Sequence, residues 1–261
     1  MSLDTGERFT NKEIRESDPI RITSFRELVK SVARIANHNP DYSLFFRGQN
    51  KDYKLSSGSS SFYPAIFRSP GGSLSAKELD ERFCTLDRCS EELIKNLGSL
   101  EIESIGKIKK FPELQWSILQ HYEVCGTPLL DVTHSLRVAA SFALNDASDS
   151  AFIFVYAFPY PNGTISYSTE EELLNVRLLS ACPSEALRPH FQEGFLVGSF
   201  PSRVKKKQPF LDFGRRLVAK IEIPNKGFWS KEFHAIPTSA LYPNNDEIER
   251  LCSEIKSKYS I

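Results

Sequence analysis

The sequence is poor in features that identify several common protein classes. Its five cysteines are odd in number and include no pair in Cys-x-x-Cys spacing, which argues against a structural zinc site and a disulfide framework. The formal net charge is zero, whereas nucleic-acid-binding proteins are usually basic. No apolar run approaches the roughly 20 residues that cross a bilayer, and the N-terminus has no apolar signal core. We therefore expect a cytoplasmic protein without a membrane partner.

The motifs of several enzyme classes are missing as well. There is no Gly-x-Gly-x-x-Gly and no Walker lysine motif, which argues against a Rossmann or nucleoside-triphosphatase unit. The absence of Gly-x-Ser-x-Gly makes a serine hydrolase a poor alternative. A cysteine nucleophile at Cys125 stays open, because His121 and His134 are near it in sequence. Neither histidine has a partner at metal spacing, so we predict no metal site.

The composition is that of an ordinary globular chain, with 40% hydrophobic and 25% charged residues. Residues 1–20 are polar and are expected to be mobile, and residues 21–261 are expected to form one domain. Helical spacing predicts a helix capped by Ser24, a second from Ser75 to about Leu97, and further helices in the ranges 113–121, 135–144, 169–179 and 245–258. Strand character is found in the ranges 42–46, 127–132, 151–158, 194–200 and 217–223. Helices come first and then mix with strands, without regular βαβ alternation, which indicates an α+β fold.

Arg47 is the first residue that could contribute chemistry. It follows an apolar strand and precedes Gly48. An arginine at a strand end can make bidentate contacts to phosphate, and a glycine lets a ligand approach the backbone closely. For a lone Arg-Gly pair, a surface or ion-paired arginine is the more common explanation.

A second group of candidates lies where a strand runs into a helix of small residues. Asp131, Thr133 and Ser135 are expected at the strand end, in a cleft. The alternative is that Thr133 or Ser135 caps the following helix, which is the more common role of these residue types. His121 likewise is more often structural than a base.

The third candidate is Glu193, which stands between Gln192 and Gly194 before a predicted strand. A carboxylate at a strand entrance can face a cleft. On that fact alone, a solvated loop glutamate is more common.

These segments together resemble the FRG domain, a family named for its Phe-Arg-Gly signature. That signature is Phe46-Arg47-Gly48 here, extended to Gln49, and Tyr53, Leu55, Pro64 and Arg68 fit the positions that follow. The clearest match is Leu119-Gln-His-Tyr-Glu-Val-Cys-Gly-Thr-Pro-Leu-Leu-Asp-Val-Thr-His-Ser135. In it, Glu123 replaces the usual glycine and Val132 the usual tryptophan. Arg188 followed by 192–194, and then Leu241-Tyr-Pro243, resemble the later motifs, so the resemblance covers about residues 40–255.

The FRG pattern in turn looks like a divergent ADP-ribosyltransferase. It implies a mixed, mainly antiparallel split β-sheet core with flanking helices and a helical N-terminal region. The resemblance also implies that NAD is the substrate and that the activity uses no metal. Glu193 and Arg47 would be catalytic, with Glu193 standing where most of the family has glutamine. The implied NAD-binding residues are Arg47, Gly48, Arg68, His121, Tyr122, Thr133 and Ser135.

The resemblance leaves the acceptor of ADP-ribose open among RNA, DNA and protein. A basic stretch near Glu193 suggests nucleic-acid phosphates, and a solvated loop is the alternative. The expected acceptor-binding residues are Gln192, Arg203, Lys205, Lys206 and Lys207. By resemblance, the context would be a bacterial toxin or phage-defence effector, with an antitoxin protein as partner. A non-catalytic nucleotide- or partner-binding module and an NAD glycohydrolase remain as alternatives.

Overall fold

The computed structural model describes residues 9–69, 73–99, 105–243 and 246–259. The chain divides into two compact units, each built from three separate segments. Unit 1 consists of 1–62, 132–160 and 212–241, and unit 2 of 63–131, 161–211 and 242–261. The division between residues 131 and 132 falls within strand β3.

The elements follow one another in a mixed order. The helices are Asn11–Glu16 (α1), Phe25–Asn37 (α2), Ala76–Leu97 (α3), Ile105–Lys110 (α4), Pro112–His121 (α5), Leu136–Asn145 (α6), Leu178–Ala181 (α7), Leu187–Phe191 (α8), Thr238–Leu241 (α9) and Glu247–Tyr259 (α10). The strands are Ile20–Arg21 (β1), Ser43–Gln49 (β2), Leu129–Thr133 (β3), Ser150–Phe158 (β4), Ile165–Ser168 (β5), Leu173–Arg177 (β6), Gly194–Ser199 (β7) and Leu217–Pro224 (β8). Of these helices, none is long and apolar enough to cross a membrane, as judged over the described residues.

The sheet of unit 1 has the strand order β1-β8-β4-β2-β3. The short β1 pairs parallel with β8, and the pairs β8–β4, β4–β2 and β2–β3 are antiparallel. Successive side chains of each strand point to opposite faces. One face carries Phe46, Ile153, Val155, Ala219 and Ile221, which form one apolar cluster with residues of α2 and α6. Helix α2 is amphipathic, and its buried residues recur at the three- and four-residue spacing of a core-facing helix.

The opposite face of this sheet is lined with aromatic side chains. The ring of Phe62 packs on Phe154 and Tyr156, with ring centroids 4.6 and 5.5 Å apart. Phe158 contacts Phe213 in the same way, at 5.9 Å. All five side chains are buried. Phe62 and Phe213 therefore cover the part of this face that β4 forms.

A buried network of hydrogen bonds and ion pairs connects α1 to the sheet of unit 1. The ammonium group of Lys220 donates to the Arg15 carbonyl at 3.0 Å, to Ser60 Oγ at 3.1 Å and to Asp52 Oδ2 at 3.3 Å. Arg15 itself donates to the buried carboxylate of Asp212 at 2.7 Å. Helix α1 lies within the segment that was expected to be mobile. Its contacts are made with residues distant in sequence, and its Ile14 is buried.

Unit 2 combines the strand order β3-β7-β6-β5 with a helical core. The pairs β7–β6 and β6–β5 are antiparallel. The 22-residue helix α3 buries one apolar stripe, and α5 and α10 contribute further residues to the same cluster. A capping box of Ser75 and Glu78 begins α3. Most of the buried apolar side chains of this unit lie in this one cluster.

The α+β class and the mainly antiparallel pairing predicted from the sequence are confirmed. The helix predicted for residues 169–179 is wrong, because Leu173–Arg177 forms β6 and only Leu178–Ala181 is helical. Its Leu-Leu-Asn-Val run is buried between β5 and β7. Pairing on both sides and burial thus override the helical propensity of the leucines.

Candidate functional site

Arg47 lies in the middle of the unit 1 sheet, on β2. It pairs with Phe154 of β4, and its side chain is half-buried. The preceding Phe46 pairs with Thr133 on the other side. Because paired residues share a face and neighbours in a strand alternate, Arg47 points to the face opposite Thr133. Arg47 and Thr133, both expected to bind NAD, therefore lie on opposite faces of the sheet.

The face of Arg47 also carries a histidine that the sequence analysis did not place in the site. Phe45 lies on that face two residues before Arg47. The ring of His134 packs on Phe45 with centroids 3.9 Å apart. If the alternation of side chains along β3 is continued one residue beyond Thr133, His134 falls on the same face of the sheet as Arg47.

Thr133 and Ser135 have the capping role that was the alternative for them. The Ser135 amide donates to Thr133 Oγ1 at 3.1 Å, and Ser135 Oγ accepts from the Val138 amide at 3.4 Å, which begins α6. Thr133 is buried. These bonds satisfy amides that the first turn of a helix leaves without partners.

Gly48 is explained by the packing of α6 on β2. A Cβ atom added to it would lie 1.9 Å from the carbonyl oxygen of Ala139 and 2.9 Å from the Ala143 amide nitrogen. No larger residue fits at this contact. From the sequence, Gly48 was expected to let a ligand approach the backbone. In the structure, helix α6 lies against it.

The Gln-His-Tyr segment of unit 2 joins two hydrogen-bond networks. In the first, Gln120 donates to Asp131 Oδ2 at 2.7 Å and accepts from Thr127 Oγ1 at 2.6 Å. Gln120 therefore connects the end of α5 to the loop before β3 and to β3 itself. Asp131, expected in a cleft, serves this connection.

The second network centres on the buried carboxylate of Asp246. Its Oδ2 accepts from the Tyr122 hydroxyl at 2.6 Å and from the Arg188 amide at 3.0 Å. Its Oδ1 accepts from the amides of Ile248 and Glu249 and so caps the start of α10. Burial and this carboxylate raise the pKa of Tyr122 far above its ordinary value. Sequence reasoning missed Asp246, although an acidic residue directly before a helical pattern is a recognisable cap.

Arg188 is almost fully buried, which is unusual for an arginine. Its guanidinium lies over the ring of Tyr242 at 4.5 Å and 5.9 Å from the ring of Tyr122. Carboxylate oxygens of Glu123 and Glu249 lie 3.6 and 4.0 Å from it. Arg188 was recognised as a motif residue but was given no role in the predicted site.

His121 is buried beside Arg188. Burial first, and then the charge of Arg188, lower the pKa of His121 to about 3, so the imidazole is neutral at physiological pH. The ring also hydrogen-bonds the backbone of Arg188. On its other side it lies close to Gly194, where an added Cβ would be 3.8 Å from Cε1.

Glu193 lies directly before this glycine, at the entrance of β7. Its side chain is exposed, and its backbone φ is 45°, in the left-handed region. Gln192 before it and Phe195 after it are buried. Glu123 also has a left-handed φ, of 54°. This backbone explains why glycine is the usual residue at position 123 in the motif.

The remaining predicted residues lie on the surface of unit 2. Arg68 is exposed and donates from Nε to the Tyr63 carbonyl. In the basic stretch, Arg203 is paired with Asp87, and the ammonium group of Lys207 lies 4.1 Å from the ring centroid of Tyr63. Lys205 and Lys206 are exposed.

Cys125 does not have the properties of a nucleophile. It is buried, and its hydrogen bond with Cys89 and its burial raise the pKa of its thiol far above the ordinary value. A nucleophilic cysteine needs the opposite, a lowered pKa. Within the described part of the chain, no group of three or more possible metal ligands occurs.

The structure thus assembles two groups of predicted residues, each within its own unit. Unit 1 brings together Gly48, Thr133 and Ser135 at the β2–α6 contact and places Arg47 on the other face of the sheet. Unit 2 brings together His121, Tyr122 and Arg188, with Glu193 next in sequence to the glycine that His121 approaches.

Residues 42–151 match the family model of the FRG domain, which confirms the resemblance found in the sequence. The match contains Arg47, His121 and Thr133, and it ends before Arg188 and Glu193. No curated protein and no solved structure matches the chain.

Proposed function

We propose that this protein is an NAD-dependent mono-ADP-ribosyltransferase that modifies a macromolecule. The observation that supports this most is Glu193, an exposed carboxylate at the entrance of the buried strand β7. Cleavage of the bond between nicotinamide and ribose develops positive charge on the ribose. A fixed carboxylate lowers the energy of that transition state electrostatically. The ring of His121 lies close to Gly194, the residue after Glu193, and it is neutral, so it adds no positive charge there.

Arg47 is proposed to bind the diphosphate of NAD. It is half-buried on a sheet face of unit 1, and the planar donor fork of a guanidinium matches the geometry of phosphate oxygens. A rigid strand fixes its backbone, which reduces the entropy lost on binding. The order Arg47, Thr133 with Ser135, and Glu193 along the chain supports an ADP-ribosyltransferase-like fold as part of this proposal.

The proposed acceptor is a nucleic acid, with RNA first among the candidates and a protein as the second. Lys205 and Lys206 support this choice, because both are exposed near Glu193 in sequence. Arg203 and Lys207 already have contacts with Asp87 and Tyr63. A toxin or phage-defence effector in the cytoplasm, neutralised by an antitoxin, is the biological role that fits such an activity.

The proposal is tested with labelled NAD, total RNA and cell lysate. Wild-type protein should transfer label to a macromolecule, and Glu193→Gln should lower the rate by roughly 100-fold or more, as losses of charge-stabilising groups do. Glu170→Gln, an exposed glutamate of the same unit, is the matched control and should keep full activity. Arg47→Ala should raise KM for NAD, with the exposed Arg21→Ala as its control.

Two outcomes identify the alternatives. Release of nicotinamide without a labelled acceptor would make the protein an NAD glycohydrolase. No consumption of NAD under any condition would leave a non-catalytic nucleotide- or partner-binding module. The latter has one observation in its favour, since Gln120, Tyr122 and Asp131 all take part in hydrogen bonds that hold the fold.

A further inference from the structure

Among the described residues, five buried side-chain atoms of unit 2 have no hydrogen-bond partner, and two of them belong to neighbouring side chains. These two are Nε2 of His121 and Nε of Arg188. The two residues are in contact, because the His121 ring hydrogen-bonds the Arg188 backbone. Buried polar groups are nearly always satisfied, so two such atoms in contacting residues point to a missing partner.

The two atoms have opposite hydrogen-bonding character. Because Nε2 of His121 has no partner, we assign the hydrogen bond with the Arg188 backbone to the other ring nitrogen, Nδ1, as donor; in the neutral ring Nε2 is then an acceptor. The guanidinium Nε–H can only donate. One small group that offers both an N–H and a carbonyl oxygen would satisfy both atoms.

We propose that His121 and Arg188 form a subsite for a primary carboxamide. Its N–H group donates to His121 Nε2, and its carbonyl oxygen accepts from Arg188 Nε. The proposal rests on the proposed function in one respect, since the nicotinamide ring of NAD carries this group. It names the part of NAD that the buried Gln-His-Tyr segment recognises.

The charges around Arg188 distinguish a carboxamide from a carboxylate. Glu123 and Glu249 already place carboxylate oxygens 3.6 and 4.0 Å from its guanidinium. A third carboxylate would add negative charge to this group and would present only acceptors to the lone pair of His121. A neutral carboxamide has neither disadvantage. The subsite should therefore prefer nicotinamide to nicotinic acid.

The size of the ligand also matters at this position. Both unsatisfied atoms lie beneath the surface, and Leu178 packs against the same Gly194 that His121 approaches. A ligand reaches the atoms only when such side chains move aside. Free nicotinamide and benzamide are the smallest probes that combine the carboxamide with a flat ring.

The test measures binding of nicotinamide, benzamide and nicotinic acid to the full chain by ligand-observed NMR. Nicotinamide and benzamide should bind, and nicotinic acid should bind at least about tenfold more weakly, the minimum expected when a buried polar group is left unpaired. His121→Phe removes the acceptor and should weaken nicotinamide binding by at least about tenfold as well. His190→Gln, a histidine of the same unit that contacts the Pro183 carbonyl, should bind like wild type. Thermal unfolding checks that each variant is folded.

Arg188 is tested by a conservative change because its full removal endangers folding. Arg188→Lys keeps the charge but loses the Nε–H, so it should weaken both carboxamides while His190→Gln does not. Equal binding of nicotinamide and nicotinic acid, no binding of nicotinamide, or unchanged binding by folded His121→Phe would each overturn the subsite.

The subsite and the proposed function can fail separately. NAD consumption that depends on Glu193, together with no discrimination between nicotinamide and nicotinic acid, would retain the transferase and reject the subsite. Nicotinamide binding that depends on His121, without NAD consumption, would retain the subsite and reject the transferase.

Discussion

Two buried polar clusters, the Lys220–Asp212 network of unit 1 and the His121–Arg188 pair of unit 2, differ in how their groups are satisfied. In unit 1 the ammonium of Lys220 has three acceptors, and the carboxylate of Asp212 accepts from Arg15, Ser61 and the amides of Phe62 and Gly214. Only Oδ1 of Asp52 lacks a hydrogen-bond partner in this network, as far as the described residues extend. In unit 2, by contrast, the adjacent His121 and Arg188 each keep a buried atom without a partner.

This contrast separates structural from functional burial. A network whose donors and acceptors match is explained by the stability it provides to the fold. Buried atoms left without partners cost stability, and natural proteins retain few of them without a reason such as ligand binding.

The largest effect should come from breaking the network of unit 1. Lys220→Met removes the charge that faces Asp52 and leaves a buried carboxylate without its cation, which should lower the free energy of unfolding by about 3–5 kcal/mol. Urea denaturation measures the change. The control Lys226→Met changes an exposed lysine and should lower the free energy of unfolding far less. A loss equal to that of Lys226→Met would mean that the network does not stabilise unit 1.

Crowding the β2–α6 contact should have the next largest effect. Gly48→Ala forces a methyl group against the Ala139 carbonyl, and overpacking of this kind costs about 1–3 kcal/mol or more. Gly106→Ala is the control, because nothing lies within 4 Å of the added carbon. Thermal or urea unfolding compares the two. If Gly48→Ala were as stable as wild type, the glycine would be retained for a ligand after all.

The pH dependence of stability should report on His121. The pKa of this histidine is about 3 in the folded protein and about 6.5 when unfolded, so the unfolded chain binds more protons between these values. The stabilisation is complete above pH 6.5 and decreases as the pH falls toward 3. Its loss between pH 6.5 and pH 5 should be about 2 kcal/mol.

Urea denaturation of wild type and His121→Phe across this range measures that contribution. The free energy of unfolding of wild type, measured relative to that of His121→Phe, should decrease as the pH falls, because only wild type carries this imidazole. A difference that stays constant would mean that the imidazole is not held neutral by burial.

The smallest effect should come from removing one donor of the Asp246 network. Tyr122→Phe keeps the ring and loses the hydroxyl, and hydrogen bonds to charged groups contribute about 1.5–3 kcal/mol. The loss should fall at the lower end, because Asp246 keeps three backbone donors. Tyr160→Phe, whose exposed hydroxyl donates to the Pro40 carbonyl, serves as control in unfolding measurements. If Tyr122→Phe lowered the free energy of unfolding more than Lys220→Met does, the Asp246 network would contribute more to stability than the Lys220 network, which would contradict this prediction.

The sequence predicted those parts of the fold that depend on local patterns. The spacing of apolar residues and the capping boxes identified α2 and α3, and runs of apolar and β-branched residues identified β4, β7 and β8. The strand β6 was missed because its leucines favour a helix, and only pairing with two other strands decides otherwise.

The sequence motifs predicted which residues belong to the candidate site better than they predicted how those residues are arranged in space. The motifs identified Arg47, His121 and Glu193 as positions of interest. They did not reveal that Arg47 and Thr133 face opposite sides of a sheet, because that depends on the register between β2 and β3. Arg188 and Asp246 meet Tyr122 only through long-range contacts, and no local pattern contains that information.

The long-range contacts of α1 have a consequence for folding during translation. Its residues bind partners about two hundred positions further on, since Asn11 donates to the Leu217 carbonyl, Arg15 to Asp212, and Lys220 to the Arg15 carbonyl. During synthesis, the N-terminal helix leaves the ribosome long before these partners exist. Contacts of such long separation form late and slowly. Helix α1 therefore cannot make these contacts until residues 212–220 have left the ribosome.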